Sequence, residues 1–190
     1  MSLQKVIYIH INKCGGTSIK SAIRNLDNVF IPKNDNIVNL IGTPLWNSHI
    51  KISVVRNPYD RIKSLYGMLM RQGKRLSLDD MLNILTNDKI PYKTNDGFLP
   101  TGDSYIKRHG LPMTHKHYGI CNGDKIIVDK IYNLENINEH WNDIQTLIGF
   151  DVKLPHKNTS KSNLIKLTNK QMKIIQEYYD KDFNLLGYEK

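Results

Sequence analysis

Cysteine is scarce in this chain, and long apolar runs are absent. Cys14 and Cys121 are far apart and lack the spacing of metal ligands. Two isolated thiols exclude a disulfide framework and favour a reducing compartment. The longest apolar run near the start, residues 6–11, is interrupted by His10 and is too short for a signal peptide or a membrane span. We therefore expect a cytoplasmic protein without a transmembrane segment.

Internal repeats and long runs of like charge are also absent, although the chain is basic. Its 27 Lys and Arg against 18 Asp and Glu give a net charge of +9, which favours anionic partners. Nucleic acid is not expected, because no aromatic platform is interleaved with the basic residues. The length of 190 residues fits one domain, residues 1–190, with a core that needs no metal or disulfide. The sequence carries no signal for oligomeric state.

Apolar periodicity predicts alternating strands and helices. Residues 6–11 are typical of a strand buried on both faces, and residues 29–31, 50–55 and 124–134 predict three more strands. Helical faces follow at residues 17–26 and after Asn57 and Pro58. This alternation predicts an α/β fold of three layers, with a central, mostly parallel sheet flanked by helices.

Helix boundaries and one irregular stretch complete the prediction. Three pairs have the spacing of helix-capping boxes: Ser77 with Asp80, Asn136 with Glu139, and Thr168 with Gln171. Gly149 should end the helix that begins near Asn136. Residues 88–122 are rich in Gly, Pro, Asn, His and Tyr, which is typical of a functional loop.

The stretch "NKCGGTS", residues 12–18, joins the first strand to the first helix. Gly15 and Gly16 allow positive φ angles and a close approach of the backbone to a ligand. The amides of Gly16, Thr17 and Ser18 would then face an anion at the helix N-terminus, and Lys13 would add a cation. In nucleotide triphosphatases the lysine follows the glycines, whereas here it precedes them, and no strand ends in a magnesium-binding aspartate. The other interpretation is a tight turn with no ligand.

A second strand end, "SVVRNPYDRIKSLY", has the same character. Arg56 follows a predicted strand and should face the same edge of the sheet as Lys13. Ser64 lies about two turns into the next helix, on a face that could turn back toward Arg56. A guanidinium and a hydroxyl that converge suit a second phosphate. The alternative is an arginine that caps local carbonyls beside a surface serine.

Together these two stretches resemble the cofactor signatures of PAPS-dependent sulfotransferases, of the carbohydrate-type branch. "IYNLENINEHWNDI", "LPHKNTSKSN" and "YYDKDFNLLGY" resemble later segments of that family, so the likeness spans most of the chain. It implies a P-loop-kinase-like topology and a donor, 3′-phosphoadenosine 5′-phosphosulfate (PAPS), used without a metal. The implied donor-binding residues are Lys13, Cys14, Gly15, Gly16, Thr17, Ser18, Arg56, Ser64, Lys157 and Thr159.

The resemblance implies transfer of a sulfuryl group from PAPS to a hydroxyl of a glycan, with release of PAP. Lys13 is the implied catalytic residue. The family often places a histidine before the second buried strand, where this chain has Thr43. The candidates for the general base are therefore His49, His109, His115 and His117, with His49 expected at the wrong edge of the sheet. His10 is expected to be a core histidine beside the loop.

Two further functions remain open from the sequence. A nucleotide phosphotransferase of the P-loop kinase class would share the sheet and the anion-binding loop, but the order of the lysine and glycines disfavours it. A PAP-binding protein without activity would fit the absent histidine. The phosphotransferase would differ from a sulfotransferase in how it responds to PAP, ADP and ATP with magnesium, and the inactive PAP-binding protein would differ only in transferring no sulfuryl group.

Overall fold

A computed structural model gives the structure of residues 3–33, 37–93, 101–155 and 164–190. Its six strands are β1 (Val6–Ile9), β2 (Val29–Phe30), β3 (Ile50–Val55), β4 (Cys121–Asn122), β5 (Lys125–Ile126) and β6 (Lys130–Asn133). Its nine helices are α1 (Gly16–Ile23), α2 (Ile37–Leu40), α3 (Pro44–Ser48), α4 (Pro58–Arg71), α5 (Leu78–Thr86), α6 (Gly102–His109), α7 (Ile137–Ile148), α8 (Asn169–Tyr178) and α9 (Asp180–Leu186). Both counts cover the described residues. None of these helices is both long and apolar enough to cross a membrane.

The central sheet has four parallel strands in the order β2-β1-β3-β6. β1 therefore lies inside the sheet, between β2 and β3. Because all neighbours run the same way, the carboxyl ends of β1, β3 and β6 meet at one edge, where open α/β sheets bind ligands. Helices flank this sheet, so the predicted α/β class with a central parallel sheet is confirmed.

Both faces of β1 are buried, which explains its nearly continuous apolar sequence. Val6, Ile7, Tyr8 and Ile9 are each 0% exposed. Val6 and Tyr8 pack with the apolar stripes of α1 and α7 in one core. Ile7 and Ile9 point to the opposite face, because side chains alternate along a strand.

The chain divides into two compact units, each built from two segments. Unit 1 comprises Met1–Arg56 and Met113–Thr159, and unit 2 comprises Asn57–Pro112 and Ser160–Lys190. Unit 1 contains the sheet with α1 and α7, and unit 2 contains α4, α5, α6, α8 and α9. The assignment of the whole chain to one domain stays a prediction.

Most predicted caps are present, and one is wrong. Ser77 with Asp80 and Thr168 with Gln171 form capping boxes, and Gly149 ends α7 with φ of 72°. Asn136 makes no capping hydrogen bond from its side chain. A 3₁₀ turn, Leu134–Asn136, leads directly into α7 and holds Asn136 away from the extended backbone that an N-cap residue needs.

Two segments differ from their predicted form. Residues 88–122 are not one irregular loop, since they include α6 and β4. Residues 124–134 form two strands: β5 pairs antiparallel with β4, and β6 pairs parallel with β3. The break lies at Asp129, whose carboxylate accepts the amide of Lys51 at 2.7 Å and whose own amide donates to the Lys51 carbonyl. This exchange fixes the chain beside β3 before β6 begins.

In unit 2, two buried side chains donate hydrogen bonds to the backbone carbonyls of three consecutive residues, 109–111. Arg61, 1% exposed, donates to the carbonyls of Leu111 at 2.8 Å and His109 at 3.3 Å. The hydroxyl of Tyr179 donates to the carbonyl of Gly110. The Arg61 guanidinium also lies 5.9 Å from the centre of the Tyr179 ring. The chain after α6 is therefore fixed onto α4 by charge-assisted hydrogen bonds.

Candidate functional site

The loop between β1 and α1 has two residues in the left-handed region. Lys13 has φ of 68° and Gly15 has φ of 72°. A positive φ is uncommon for a residue other than glycine, and such residues cluster at ligand-binding sites. Left-handed and right-handed residues in succession turn consecutive amides toward one side, which makes a concave anion-binding nest.

The amides at the start of α1 show what this loop can bind. Ser18 and Ile19 both donate their amides to the Gly15 carbonyl, at 3.0 and 3.2 Å. The amides of Gly16 and Thr17 have no acceptor among the described residues. These two donors, at the positive end of the helix dipole, are available to an anion. The Ser18 amide, which was predicted to join them, is engaged inside the turn.

The two glycines have different structural roles. Gly15 needs its positive φ, as predicted. Gly16 does not have a positive φ, so the prediction for it is wrong. A Cβ on Gly16 would lie 2.0 Å from Cε1 and 2.1 Å from Nδ1 of His10. Gly16 is therefore required because the imidazole of His10 packs directly against the loop.

Arg56 joins the loop from the end of β3. Its Nη1 donates to the Lys13 carbonyl at 3.4 Å. Its amide donates to Sδ of Met113, also at 3.4 Å, and the same sulfur lies 3.7 Å from Sγ of Cys14. Met113 thus ties the loop to the end of β3. Sequence reasoning missed it, because a buried Met in a polar stretch gives no signal of the residues it will contact.

The phenol of Tyr8 lies in the core of unit 1. Its hydroxyl is buried and has no hydrogen-bond partner among the described residues. Burial, with a smaller effect of the nearby Cys14, raises the pKa of Tyr8 well above its ordinary value. Tyr8 therefore stays neutral at physiological pH and does not accept a proton there.

Comparison with known proteins decides the family. The profile of the family described as "Sulfotransferase family" matches residues 3–189, nearly the whole chain. The chain belongs to the sulfotransferase family. It is also similar to the crystal structure of a sulfotransferase from Alicyclobacillus acidocaldarius, at 14% identity with a TM-score of 0.55. That likeness covers 98% of this chain and 95% of the other, and at this identity it supports the fold. No curated protein matches the chain.

The second predicted binding segment of this sulfotransferase begins α4. Asn57 caps the helix by accepting the amide of Tyr59 at 2.9 Å, and Pro58 takes the first helical position, as predicted. Ser64 is 7% exposed, and its hydroxyl has no partner among the described residues. Its convergence with Arg56 stays a prediction. Lys157 and Thr159 lie outside the described residues.

The candidate histidines of this sulfotransferase differ in their local hydrogen bonds. His49 directly precedes β3, at the amino end of the sheet, where it was expected. His117 is 2% exposed, and its amide donates to Nδ1 of His115 at 3.1 Å. This bond places the proton of neutral His115 on Nε2, which makes that atom a donor.

His109 has the opposite tautomer. Its Nδ1 lies 2.9 Å from the Tyr105 carbonyl and must donate to it, since a carbonyl can only accept. The Tyr105 ring also packs against the imidazole, with ring centres 4.0 Å apart. Nε2 of His109 is therefore the basic nitrogen of a fixed ring. On this local criterion His109 suits proton acceptance better than His115.

The described residues contain no group of three or more His, Cys, Asp or Glu side chains that could hold a metal ion. Thr43, which stands where the family often has a histidine, caps α3 by accepting the amide of Trp46 at 3.3 Å. Its hydroxyl in turn donates to the Leu40 carbonyl at 2.6 Å. Thr43 thus has a local structural role.

Proposed function

We propose that this member of the family transfers the sulfuryl group of PAPS to a hydroxyl of a glycan and releases PAP. The observation that carries the proposal is the nest formed by Lys13 and Gly15, with the open amides of Gly16 and Thr17. Such a nest fits the 5′-phosphosulfate, which presents several oxygens to converging donors.

In the proposed reaction the acceptor oxygen attacks sulfur, and the bond from sulfur to the bridging oxygen breaks. The electron pair of that bond stays on the 5′-phosphate of PAP, and the acceptor proton passes to a general base. Lys13 stabilises the charge that develops on the bridging oxygen, and the loop amides stabilise the phosphate. The reaction depends mostly on positioning and on charge stabilisation, as phosphoryl transfer does.

Arg56 has two proposed roles at the donor site. Its Nη1 holds the Lys13 carbonyl, which helps to keep Lys13 in the left-handed conformation. We assign the remaining donors of its guanidinium to the 3′-phosphate, together with the Ser64 hydroxyl. A planar guanidinium suits this task because it presents several N–H groups to phosphate oxygens at once. The adenosine 3′-phosphate distinguishes PAPS and PAP from ordinary adenine nucleotides.

Nucleotide preference tests the proposal directly. We expect PAP to raise the melting temperature far more than ADP, since ADP lacks the 3′-phosphate. PAP at 100 times its dissociation constant adds about 2.7 kcal/mol, which in a domain of this size is about 5–10 °C. Differential scanning fluorimetry with PAP, ADP and ATP with magnesium measures it. Equal shifts of the melting temperature with PAP and ADP would remove Arg56 and Ser64 from the donor site. A shift with ATP and magnesium, but with neither PAP nor ADP, would indicate a phosphotransferase.

Activity completes this test. Labelled PAPS incubated with a glycan mixture should yield labelled glycan and PAP in equal amounts. A protein that binds PAP but transfers no label to any acceptor would be a PAP-binding protein without activity.

Met113 provides a finer test of the donor site. Replacement of Met113 by leucine keeps the apolar volume but removes the sulfur that accepts the Arg56 amide and contacts Cys14. We expect PAP to bind about three- to tenfold more weakly, since a lost weak hydrogen bond rarely costs more. Met81→Leu is the matched control, because Met81 is also 0% exposed but lies in the core of unit 2. Calorimetry that gives the two variants the same affinity would remove Met113 from this role.

A further inference from the structure

His10 directly follows β1 in unit 1, and its imidazole packs against the first residue of α1. Its neighbours Ile9 and Ile11 are each 0% exposed, whereas His10 is partly exposed. A histidine that reaches solvent can exchange protons, and the ordinary pKa of histidine, about 6.5, lets it change charge close to neutral pH. Packing against Gly16 makes no use of this property.

The distance from the imidazole to an anion in the loop can be bounded from Gly16. The position of a Cβ on Gly16 lies 2.0 Å from Cε1 of His10, the carbon between the two ring nitrogens. An amide nitrogen lies about 2.5 Å from the Cβ of its own residue, and an oxygen that accepts the amide lies about 2.9 Å further. An anion oxygen held by the Gly16 amide would therefore lie within about 7.5 Å of Cε1.

The charges that the loop and its neighbours present to His10 are mostly positive. Lys13 lies three residues beyond His10, and the guanidinium of Arg56 donates to the Lys13 carbonyl at 3.4 Å. α1 adds the positive end of its dipole and has no acidic residue in its first turn. A carboxylate, that of Glu135, is exposed beside Leu134, which a Cβ on Gly15 would meet on the side of the 3₁₀ turn.

Two other titratable groups near the imidazole are neutral. The Tyr8 ring, on the same strand, has its centre 6.5 Å from that of His10, and burial raises the pKa of Tyr8 well above its ordinary value. The Cys14 thiol donates toward Sδ of Met113 at 3.7 Å, so it carries its proton. Neither group offers a negative charge that would pair with an imidazolium.

An anion in the loop reverses the sign of this local field. Lys13, Arg56 and the helix dipole oppose a proton on His10, whereas a phosphate or sulfate group favours it. We infer that His10 takes up a proton from solvent when the donor binds, and that the imidazolium joins Lys13 and the loop amides in holding the anion. This inference rests on the proposed function, since it assigns a charge to the same site.

The affinity for the anion should then depend on pH. An opposite charge a few ångströms away raises the pKa of a titrating group by about one unit, which corresponds to about tenfold in affinity. The added charge is fully present below the pKa of the free imidazole. It is lost as the pH rises through the higher pKa of the complex.

Calorimetry with PAP at two values of pH tests the charge of His10. We expect His10→Gln to bind about five- to tenfold more weakly than the wild type at about pH 6, and equally well at about pH 8.5. His49→Gln is the matched control, because it makes the same substitution in unit 1 at the amino end of β3, and it should follow the wild type. An equal loss in His10→Gln at both values of pH would show a packing role alone and overturn the inference.

The number of protons gives a second measure. Titrations at about pH 7 in two buffers of different ionisation enthalpy should show that the wild type takes up about half a proton more than His10→Gln when PAP binds. The phosphates of PAP titrate in both experiments, so their contribution cancels in the difference. Equal uptake by the two proteins would contradict a proton on His10.

Proton NMR of the wild type makes the test independent of whether His10→Gln folds. The Cε1 proton of His10, assigned by its contact with Gly16, should titrate at higher pH in saturating sulfate or PAP than in chloride of equal ionic strength. Sulfate itself does not titrate in this range. An unchanged titration would overturn the inference, whether or not the anion binds.

The same measurements separate this inference from the proposed function. A response of His10 to sulfate, in a protein that PAP stabilises no more than ADP, would uphold the charged histidine and contradict the proposed donor. Strong, selective binding of PAP without a response of His10 would uphold the donor and contradict the charged histidine. Absence of binding of both sulfate and PAP would overturn both.

Discussion

Replacement of Lys13 by alanine should lower the rate of sulfuryl transfer by about 10²–10³-fold, because one donor to the developing charge is typically worth about 3 kcal/mol. The stability of the fold should hardly change. Lys13 already has φ of 68°, and alanine is as strained there as lysine. Steady-state kinetics with PAPS and an active acceptor, beside thermal melts of both proteins, measures the two quantities. Full activity in Lys13→Ala would remove Lys13 from the mechanism.

A glycine variant separates the ammonium group of Lys13 from its backbone. Lys13→Gly removes the same charge but also relieves the left-handed strain, so it should be about 1 kcal/mol more stable than Lys13→Ala. If both variants lose activity equally, the ammonium group is the catalytic element. If Lys13→Gly is much more active than Lys13→Ala, the conformation of the loop matters more than the charge.

Local sequence was sufficient for the framework of the fold. β3 has the predicted bounds, because its apolar residues Ile50, Ile52, Val54 and Val55 are followed directly by Arg56 and Asn57. α4 begins as predicted, because Asn57 is a favourable N-cap residue and Pro58 is favourable at the first helical position, and both effects depend only on the first turn of the helix. The antiparallel pairing of β5 with β4 could not be predicted, since it depends on residues of the long irregular stretch that have no periodicity of their own.

In the candidate site, too, some features could be predicted from local sequence and others depend on residues distant along the chain. Gly15 was predictable, because a strand that turns sharply into a helix needs a residue that tolerates positive φ. The positive φ of Lys13 was not, since nothing local favours it and the Arg56 guanidinium that holds its carbonyl comes from another strand. Met113 and His10 act through contacts that only the folded chain creates. The local sequence thus indicated that the loop could bind an anion, whereas the contacts that hold the loop in its conformation come from residues distant along the chain.

Replacement of Gly16 by alanine should destabilise the protein and abolish PAP binding together. The new methyl group would lie 2.0 Å from the His10 ring, so either the ring or the start of α1 must move. Overpacking of this kind costs about 1–3 kcal/mol. Displacement of α1 would also move the Gly16 and Thr17 amides that form the proposed anion site. Chemical denaturation measures the loss of stability, and calorimetry with PAP measures the loss of binding.

The variant His10→Ala tests whether a clash with the imidazole is the cause of the destabilisation by Gly16→Ala. If the clash is with the imidazole, the double variant His10→Ala/Gly16→Ala should be more stable than the sum of the two single effects, with a coupling of about 1 kcal/mol or more. Gly67→Ala is the matched control within α4, where the nearest atoms to a new Cβ are 3.6 and 4.0 Å away. That substitution should stabilise the protein by about 0.5–1 kcal/mol, because alanine favours a helix over glycine. Additive effects of His10→Ala and Gly16→Ala would show that the imidazole is not the reason for glycine at this position, and the loop amides would then have to be held by another contact.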